Sequence, residues 1–371
     1  MSWRRPSSDR LRCCWLRSSC CEYIRRAFPD SGLGSANVRQ VIFKRIFFFV
    51  LLAVGLVAPY VLDPFNLVSG AGYAALAIGG LGLAFVWGTL GVLSLGHTAF
   101  FGLGAYAYAL CAMNMGSSTW AILAAVALPV IVSLALGYFL FFSRLGDVYL
   151  AVITLCVTLI FFSFFSSTAD PFYHFGSVPL GGFNGINGVP GLNIPGMPET
   201  QLSVGTTFLV CVVALSLVYA VLTWLREQRI GRVMVAIKEN ELRCELLGYD
   251  VRLYKLVGYT ISAAVAGLSG ALYTSVAGFV GPNAFDLSQA SQFVLWVIAG
   301  GLGALAGPVV AAIGFQLLAS YLGTSQTINT ELVFGTVIIA LVLLIPQGVL
   351  PSMKTWGVRL RRFTPMSRAS E

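Results

Sequence analysis

Long apolar stretches separated by short polar ones run through almost the whole chain. A helix needs about 20 mostly apolar residues to cross a bilayer, and the chain has room for about ten such helices. About four fit in 46–143, where Asp63 is the only charged residue, and two fit in 287–330. The others fit in 148–167, 203–225, 256–285 and 332–350. The pattern predicts an all-α fold, a polytopic helical membrane protein with about ten transmembrane helices, some of them broken by glycine.

The composition agrees with a membrane protein. Hydrophobic residues make up 57% of the 371-residue chain and its mean hydropathy is +0.83, whereas soluble domains are roughly 45–50% apolar. Charged residues account for only 10% of the chain, yet twelve of the 38 (23 basic and 15 acidic) fall in the segment 226–255. This polar segment interrupts the apolar pattern and needs an explanation of its own.

The distribution of Lys and Arg predicts the orientation, because basic residues near span ends stay on the cytoplasmic side. Ten of the 23 lie in 1–45, seven in 226–255 and five after Met353, whereas 167–201 contains none. With ten spans, both termini and the segment 226–255 are cytoplasmic and the loop 167–201 is outside. The net charge of +8 then reflects flanks that face anionic membrane lipid, so no nucleic-acid partner is expected.

The two ends of the chain differ from the apolar middle. Residues 1–40 are rich in Arg and hold four cysteines in two adjacent pairs, a spacing that does not match usual zinc sites. They are predicted to be a disordered cytoplasmic extension, or residues upstream of a misassigned start. The transmembrane domain is predicted at 41–353, and a basic cytoplasmic tail at 354–371.

Catalytic chemistry is not evident in the sequence. The two histidines, His97 and His174, lie far apart and without neighbouring carboxylates, so neither a metal cluster nor an acid–base pair is predicted. The chain has no GxxxxGKS or GxxxxGKT loop, so it is not expected to bind ATP by itself. No acidic residue is predicted inside a span, which disfavours a proton-coupled carrier. We therefore predict no catalytic residue, no metal and no cofactor.

Two apolar segments carry the same glycine pattern, GxLGxL, at 88–93 and at 300–305. Glycine and proline interrupt a membrane helix, and the freed backbone groups are tolerated only against protein or a water-filled cavity. Interrupted segments in two halves of a chain point to a substrate pathway, although close helix packing through small residues also explains them. The candidate pathway residues are Ser94, Gly96, His97, Thr98, Gly300 and Gly303. His97 either lines the route or packs between helices.

The outside loop 170–196 is rich in Gly, Pro and Asn and has no basic residue. Turn-forming residues dominate it, and a loop of this length is usually functional or disordered. We expect it either to dock an extracytoplasmic partner or to form a surface lid.

A short amphipathic helix is predicted inside the polar segment. Asn240 is a good N-cap and Gly248 a good C′ residue. Between them leucines share one face of the helix and glutamates share another. A cytosolic partner could hold such a helix, and the alternative is an ordinary solvated loop. The candidate contact residues are Asn240, Glu241, Leu242, Arg243, Glu245, Leu246 and Gly248, with Leu247 completing the leucine face.

Four stretches together resemble the permease subunits of branched-chain amino acid ABC importers. They are GVLSLGHTAFFGLGAYAYAL (91–110), RLGDVYLAVITL (144–155), GGFNGINGVPGL (181–192) and GRVMVAIKENELRCELLGYDVRLYKLVGYTISAAVAGLSGALY (231–273). The M-type subunit is the closer match, and importers of urea and short-chain amides share the pattern. The similarity extends over 41–350.

The resemblance implies a permease subunit that moves branched-chain amino acids across a bacterial inner membrane, using ATP hydrolysed by separate subunits. The implied partners are a second permease, two ATP-binding subunits and an extracytoplasmic solute-binding protein. The loop 226–255 is then the coupling loop that docks into an ATPase subunit, although ELRCELLG stands here where the family often has ELAAEALG. Urea or a short-chain amide is the alternative substrate, and a secondary carrier or channel is the alternative class.

Overall fold

The computed structural model describes residues 33–143, 146–170, 172–194, 197–324 and 335–336. The chain divides into two units, Met1–Phe49 and Val50–Glu371. Of the first unit, the described part is the start of one helix, which begins at Leu33 and so inside the segment for which the sequence predicts disorder. The predicted tail, and all but two residues of the predicted span at 332–350, lie outside the described residues.

Eleven α-helices make up most of the described part of the chain. They are α1 (Leu33–Val61), α2 (Pro64–Leu90), α3 (His97–Met115), α4 (Ser118–Phe142), α5 (Asp147–Ser167), α6 (Val204–Glu227), α7 (Arg229–Glu239), α8 (Glu241–Leu246), α9 (Val251–Ala277), α10 (Leu287–Gly300) and α11 (Ala306–Thr324). Seven of the described helices are long and apolar enough to cross a membrane: α1, α2, α4, α5, α6, α9 and α11.

Among the described residues seven helices qualify as spans against the predicted ten, and the span predicted at 332–350 lies almost entirely outside those residues. α3 has 19 residues, but its glycines, tyrosines and His97 make it less apolar than the seven spans. α10 has only 14 residues, which makes it about 21 Å long, too short for a hydrocarbon core of about 30 Å. The structure therefore shows a polytopic helical membrane protein, and the number ten stays a prediction.

The local sequence explains where the central helices begin and end. α2 has Pro64 in its first turn, where proline needs no N–H partner, and it stops at Gly91. α9 begins after Asp250, whose carboxylate accepts a hydrogen bond from the N–H of Leu253 at 3.4 Å. It stops at Gly278 with φ 65°, a left-handed conformation that glycine adopts without strain.

α9 is the central helix and packs against α2, α3 and α4. Glycines permit the close approach. A Cβ at Gly104 of α3 would collide with the backbone of Gly267 on α9, and one at Gly270 would collide with the carbonyl oxygen of Phe101. Small residues of this kind allow the dispersion contacts that hold membrane helices together. The glycines of α9 are therefore a packing surface.

Five short strands shape the loop between α5 and α6 and a sixth follows α9, so the described fold is helical without being strictly all-α. The strands are β1 (His174–Phe175), β2 (Val178–Pro179), β3 (Ile186–Asn187), β4 (Asn193–Ile194), β5 (Met197–Gln201) and β6 (Phe279–Val280). β1 pairs with β2, β3 with β6 and β4 with β5, all antiparallel. Asn114 of α3 also holds the loop: its Nδ2 donates to the carbonyl oxygen of Phe175 at 2.9 Å, and its Oδ1 accepts from the N–H of Ser177 at 3.0 Å.

Candidate functional site

The two glycine-rich interruptions lie side by side. The first, 91–96, separates α2 from α3 and begins with a left-handed residue of φ 79°. The second, 301–305, separates α10 from α11 and begins with Gly301, which also has a positive φ, of 93°. A Cβ added at Gly88 would lie 2.5 Å from the carbonyl oxygen of Leu302. The structure thus brings the two GxLGxL motifs into contact, which fits both a shared pathway and shared packing.

His97 is buried at the first position of α3, between three other helices. Its Nε2 lies 2.8 Å from the carbonyl oxygen of Gly79 on α2, and because a carbonyl can only accept, Nε2 carries the proton. Its Nδ1 lies 3.3 Å from the hydroxyl of Ser262 on α9, which donates to the carbonyl oxygen of Gly82 at 2.8 Å. The ring stands edge-on to Phe293 of α10 at 5.8 Å. His97 packs between helices in this conformation, and a lining role stays a prediction.

Four of the other five predicted pathway residues form two groups. Gly96 and Gly300 lie where a Cβ would collide, with α5 and with the start of α11 respectively, so their small size serves packing. Ser94 and Thr98 are almost fully buried hydroxyl residues. The hydroxyl of Thr98 has no hydrogen-bond partner among the described residues. A buried polar group without a partner costs free energy, and a pathway role for Thr98 stays a prediction.

Two basic side chains that the sequence did not single out reach the interruptions. The Nζ of Lys238 on α7 donates to the carbonyl oxygen of Gly88 at 3.1 Å. The Nη1 of Arg226 on α6 donates to the carbonyl oxygen of Gly303 at 3.0 Å. A Cβ added at Gly303 would meet no atom within 4 Å, so its small size is not needed for close packing. Its contact is the hydrogen bond that its carbonyl accepts from Arg226. No sequence spacing reveals these bonds, because the partners are 150 and 77 residues apart.

The predicted amphipathic helix is present as α8, and both of its ends lie where the sequence places them. The Oδ1 of Asn240 accepts a hydrogen bond from the N–H of Arg243 at 2.9 Å. At the other end Gly248 has φ 85°, and its N–H donates to the carbonyl oxygen of Glu245 at 2.9 Å. The N–H that follows donates to the carbonyl oxygen of Cys244 at 3.1 Å. These two bonds form a Schellman motif, which fixes the end of the helix.

α8 turns its buried side toward the protein and its leucines away from it. Cys244 is only 4% exposed and packs with apolar residues of α7 and α9, whereas Leu242 and Leu246 are 65% and 80% exposed. Burial, together with the neighbouring charge of Glu241, raises the pKa of the Cys244 thiol. The thiol is therefore expected to stay protonated and unreactive at neutral pH. The buried Cys244 belongs to the fold, and the outward leucines are available to a partner.

Both glutamates of α8 are exposed, and one of them also makes an ion pair. The carboxylate of Glu241 lies 2.6 Å from the Nζ of Lys255 on α9, whose side chain is 12% exposed. Glu245 is exposed and points into solvent. Glu241 thus helps to hold α8 on α9. The sequence did not predict this ion pair, because it joins residues 14 apart, a distance beyond the reach of helical periodicity.

Comparisons with known proteins confirm the family resemblance. Residues 67–343 match the family described as the permease component of branched-chain amino acid transport systems. The high-affinity branched-chain amino acid transport system permease protein LivM of Salmonella typhimurium is 27% identical over 343 residues, covering 86% of this chain and 77% of LivM. LivM of Escherichia coli gives the same values.

A probable branched-chain amino acid transport permease protein, LivH of Methanocaldococcus jannaschii, is 28% identical over 153 residues, 39% of this chain and 48% of that protein. No solved structure matches the chain. The family match extends from α2 to beyond α11 and includes both interruptions and the polar segment with α8. The chain therefore belongs to the family of permease components of branched-chain amino acid transport systems.

Proposed function

We propose that this chain is the membrane-spanning permease subunit of an ABC importer that carries branched-chain amino acids across a bacterial inner membrane. Two ATP-binding subunits hydrolyse ATP, a second permease completes the pathway, and an extracytoplasmic solute-binding protein delivers the substrate. Both termini and the coupling loop 226–255 lie in the cytoplasm. The observation that carries the proposal is α8, a helix capped at both ends whose leucines point away from the protein.

The leucines of α8 have the character of a protein-docking surface. Leu242, Leu246 and Leu247 are each more than half exposed, at 65%, 80% and 58%, and the charged residues Arg243 and Glu245 flank them. Apolar side chains grouped in water and rimmed by charge are typical of protein interaction sites. The surrounding Lys and Arg residues predict that this end of the bundle is cytoplasmic, where ATP is available to a bound subunit.

Transport by the reconstituted complex tests the proposal. The chain is purified with its partner subunits and placed in proteoliposomes, with the binding protein outside and ATP inside. We expect labelled leucine to be taken up only when ATP is supplied, and labelled urea to stay outside. Uptake of labelled urea but not of labelled leucine would indicate an importer of urea or short-chain amides. ATP-independent uptake by the chain alone would replace it with a secondary carrier or channel.

The outer loop supports the docking of the binding protein. Phe172 and Phe183 are 79% and 69% exposed on a loop that short strands hold in place. We expect Phe172→Ser combined with Phe183→Ser to raise, several-fold, the concentration of loaded binding protein that gives half-maximal uptake, because aromatic residues often dominate interface energy. Leucine uptake is measured against binding-protein concentration. Tyr60→Ser, which removes an exposed aromatic outside the loop, is the control, and an unchanged curve for the double variant would assign the loop to a surface lid.

His97→Leu tests whether His97 lines the route. We expect this variant to take up less leucine and to recover its ATPase subunits normally. The substitution also removes the hydrogen bond from Nε2 to the carbonyl of Gly79, which contributes about 0.5–1.5 kcal/mol, so His97→Gln, which keeps a donor, is the matched variant. Uptake that stays low in both variants would support a lining role. Uptake restored by glutamine would assign His97 to packing.

A further inference from the structure

Lys238 holds the backbone at the point where the first interruption leaves it without a helical partner. The carbonyl of Gly88 belongs to the last turn of α2, and the last four carbonyls of a helix have no N–H partner within it unless a cap supplies one. The chain turns away at Gly91, so the N–H that would bond to Gly88 is carried beyond the helix. The Nζ of Lys238 takes its place at 3.1 Å. A cation at this end of a helix is also favoured by the helix dipole.

Arg226 does the same at the second interruption. Gly303 lies between α10 and α11, so its carbonyl receives no helical N–H. The Nη1 of Arg226, in the last turn of α6, donates to it at 3.0 Å. Hydrogen bonds from charged donors are roughly twice as strong as neutral ones. Each interruption is thus held by one cation from the predicted cytoplasmic side.

Lys238 is joined to α8 through the packing of α7. Its neighbour Ile237 packs with Cys244 of α8 and Val251 of α9, and Asn240 both ends α7 and caps α8. The stem of Lys238 also lies against the first interruption, since a Cβ at Gly91 would be 3.1 Å from its Cγ. A displacement of α8 therefore displaces Lys238 against the last turn of α2.

We propose that Lys238 and Arg226 are positioning residues that pass movement of α8 to the two interruptions. The proposal rests on the proposed function, because an ATPase subunit must hold α8 to move it. When α8 moves, the ammonium of Lys238 leaves the carbonyl of Gly88, and the last turn of α2 loses its donor. Because Gly88 touches Leu302, which precedes the carbonyl that Arg226 holds, the two interruptions change together.

Lys238→Met is the test, because methionine keeps most of the apolar stem and removes the charge and the donor. We expect this variant to recover both ATPase subunits in the wild-type ratio and to hydrolyse ATP. Two quantities should fall together by about tenfold: leucine uptake, and the stimulation of ATP hydrolysis by loaded binding protein. Tenfold is the change that one lost charge-assisted hydrogen bond produces. Lys238→Arg restores a donor and should recover most of the uptake. Arg232→Met removes an exposed cation from the same helix and is the matched control.

Three results would separate the alternatives. Wild-type stimulation and uptake in Lys238→Met would overturn this proposal and leave the proposed function intact. Loss of ATPase recovery in that variant would also overturn it, because Lys238 would then be a docking residue. A failure of the proposed function looks different, since the wild-type chain itself would recover no ATPase subunit. Arg226→Met provides a second variant, and it should lower the ratio of stimulated to unstimulated hydrolysis in the same way.

Discussion

Leu242→Glu combined with Leu246→Glu is expected to separate the permease from its ATPase subunits and to abolish uptake. Both side chains point into solvent in the free chain, where substitutions usually change stability by no more than about 0.5 kcal/mol. Inside a docked apolar interface, however, each carboxylate becomes a buried charge without a partner, which is very unfavourable. The variant should therefore insert normally and keep its second permease. The test is co-purification on a tagged permease. The ratios of ATPase subunit and second permease to the tagged chain are measured, together with leucine uptake.

Ile230→Glu is the matched control for this experiment. Ile230 is 43% exposed on α7, so a carboxylate enters the polar segment without touching α8, and full ATPase recovery is expected. Normal recovery in the double variant would instead mean that α8 belongs to an ordinary solvated segment and docks no ATPase subunit. Reversing the charge of Glu241 is a poorer test, because it also breaks the ion pair with Lys255 and so mixes docking with folding.

Gly104→Ala is expected to destabilise the helix bundle, against the usual trend for this substitution. Alanine favours a helix over glycine by about 1 kcal/mol. The added Cβ, however, would collide with the backbone of Gly267, which cannot turn aside as a side chain can. Overpacking typically costs about 1–3 kcal/mol, and the rigid neighbour places this site at the upper end of that range. The thermal unfolding midpoint of the purified protein in detergent should therefore fall.

Gly72→Ala on α2 controls for the change in helix propensity, because a Cβ there meets no atom within 4 Å. Its unfolding midpoint should equal or exceed that of the wild type. A Gly104→Ala protein as stable as the wild type would show that α3 and α9 are farther apart than described.

Much of the helical framework could be predicted from the sequence, because crossing a bilayer requires long apolar runs and few charges. The ends of α8 could also be predicted, since Asn240 and Gly248 act through local hydrogen bonds. Periodicity revealed which residues of α8 share a face but not the direction of that face. The leucines of an amphipathic helix usually face inward, and here Cys244 does so instead.

The parts that could not be predicted depend on contacts between distant residues. The bond from Lys238 to Gly88 and the ion pair of Glu241 with Lys255 arise only when α7 and α8 have packed on α2 and α9. The shortness of α10 depends on where the chain turns at the second interruption, and glycine alone does not specify that point. The sequence identified both interruptions, and the structure shows that they touch.

The corner between α7 and α8 contains no spare residue, because Asn240 ends one helix and caps the other. A single residue inserted into α8 near this corner would turn the rest of the helix by about 100°, so Cys244 would leave its pocket and the leucines would no longer point outward together. The length of this segment is therefore constrained more tightly than its exposed side chains. A chimeric permease designed to accept the ATPase of another importer should exchange 237–251 as one module, so that the corner and the buried cluster move with it.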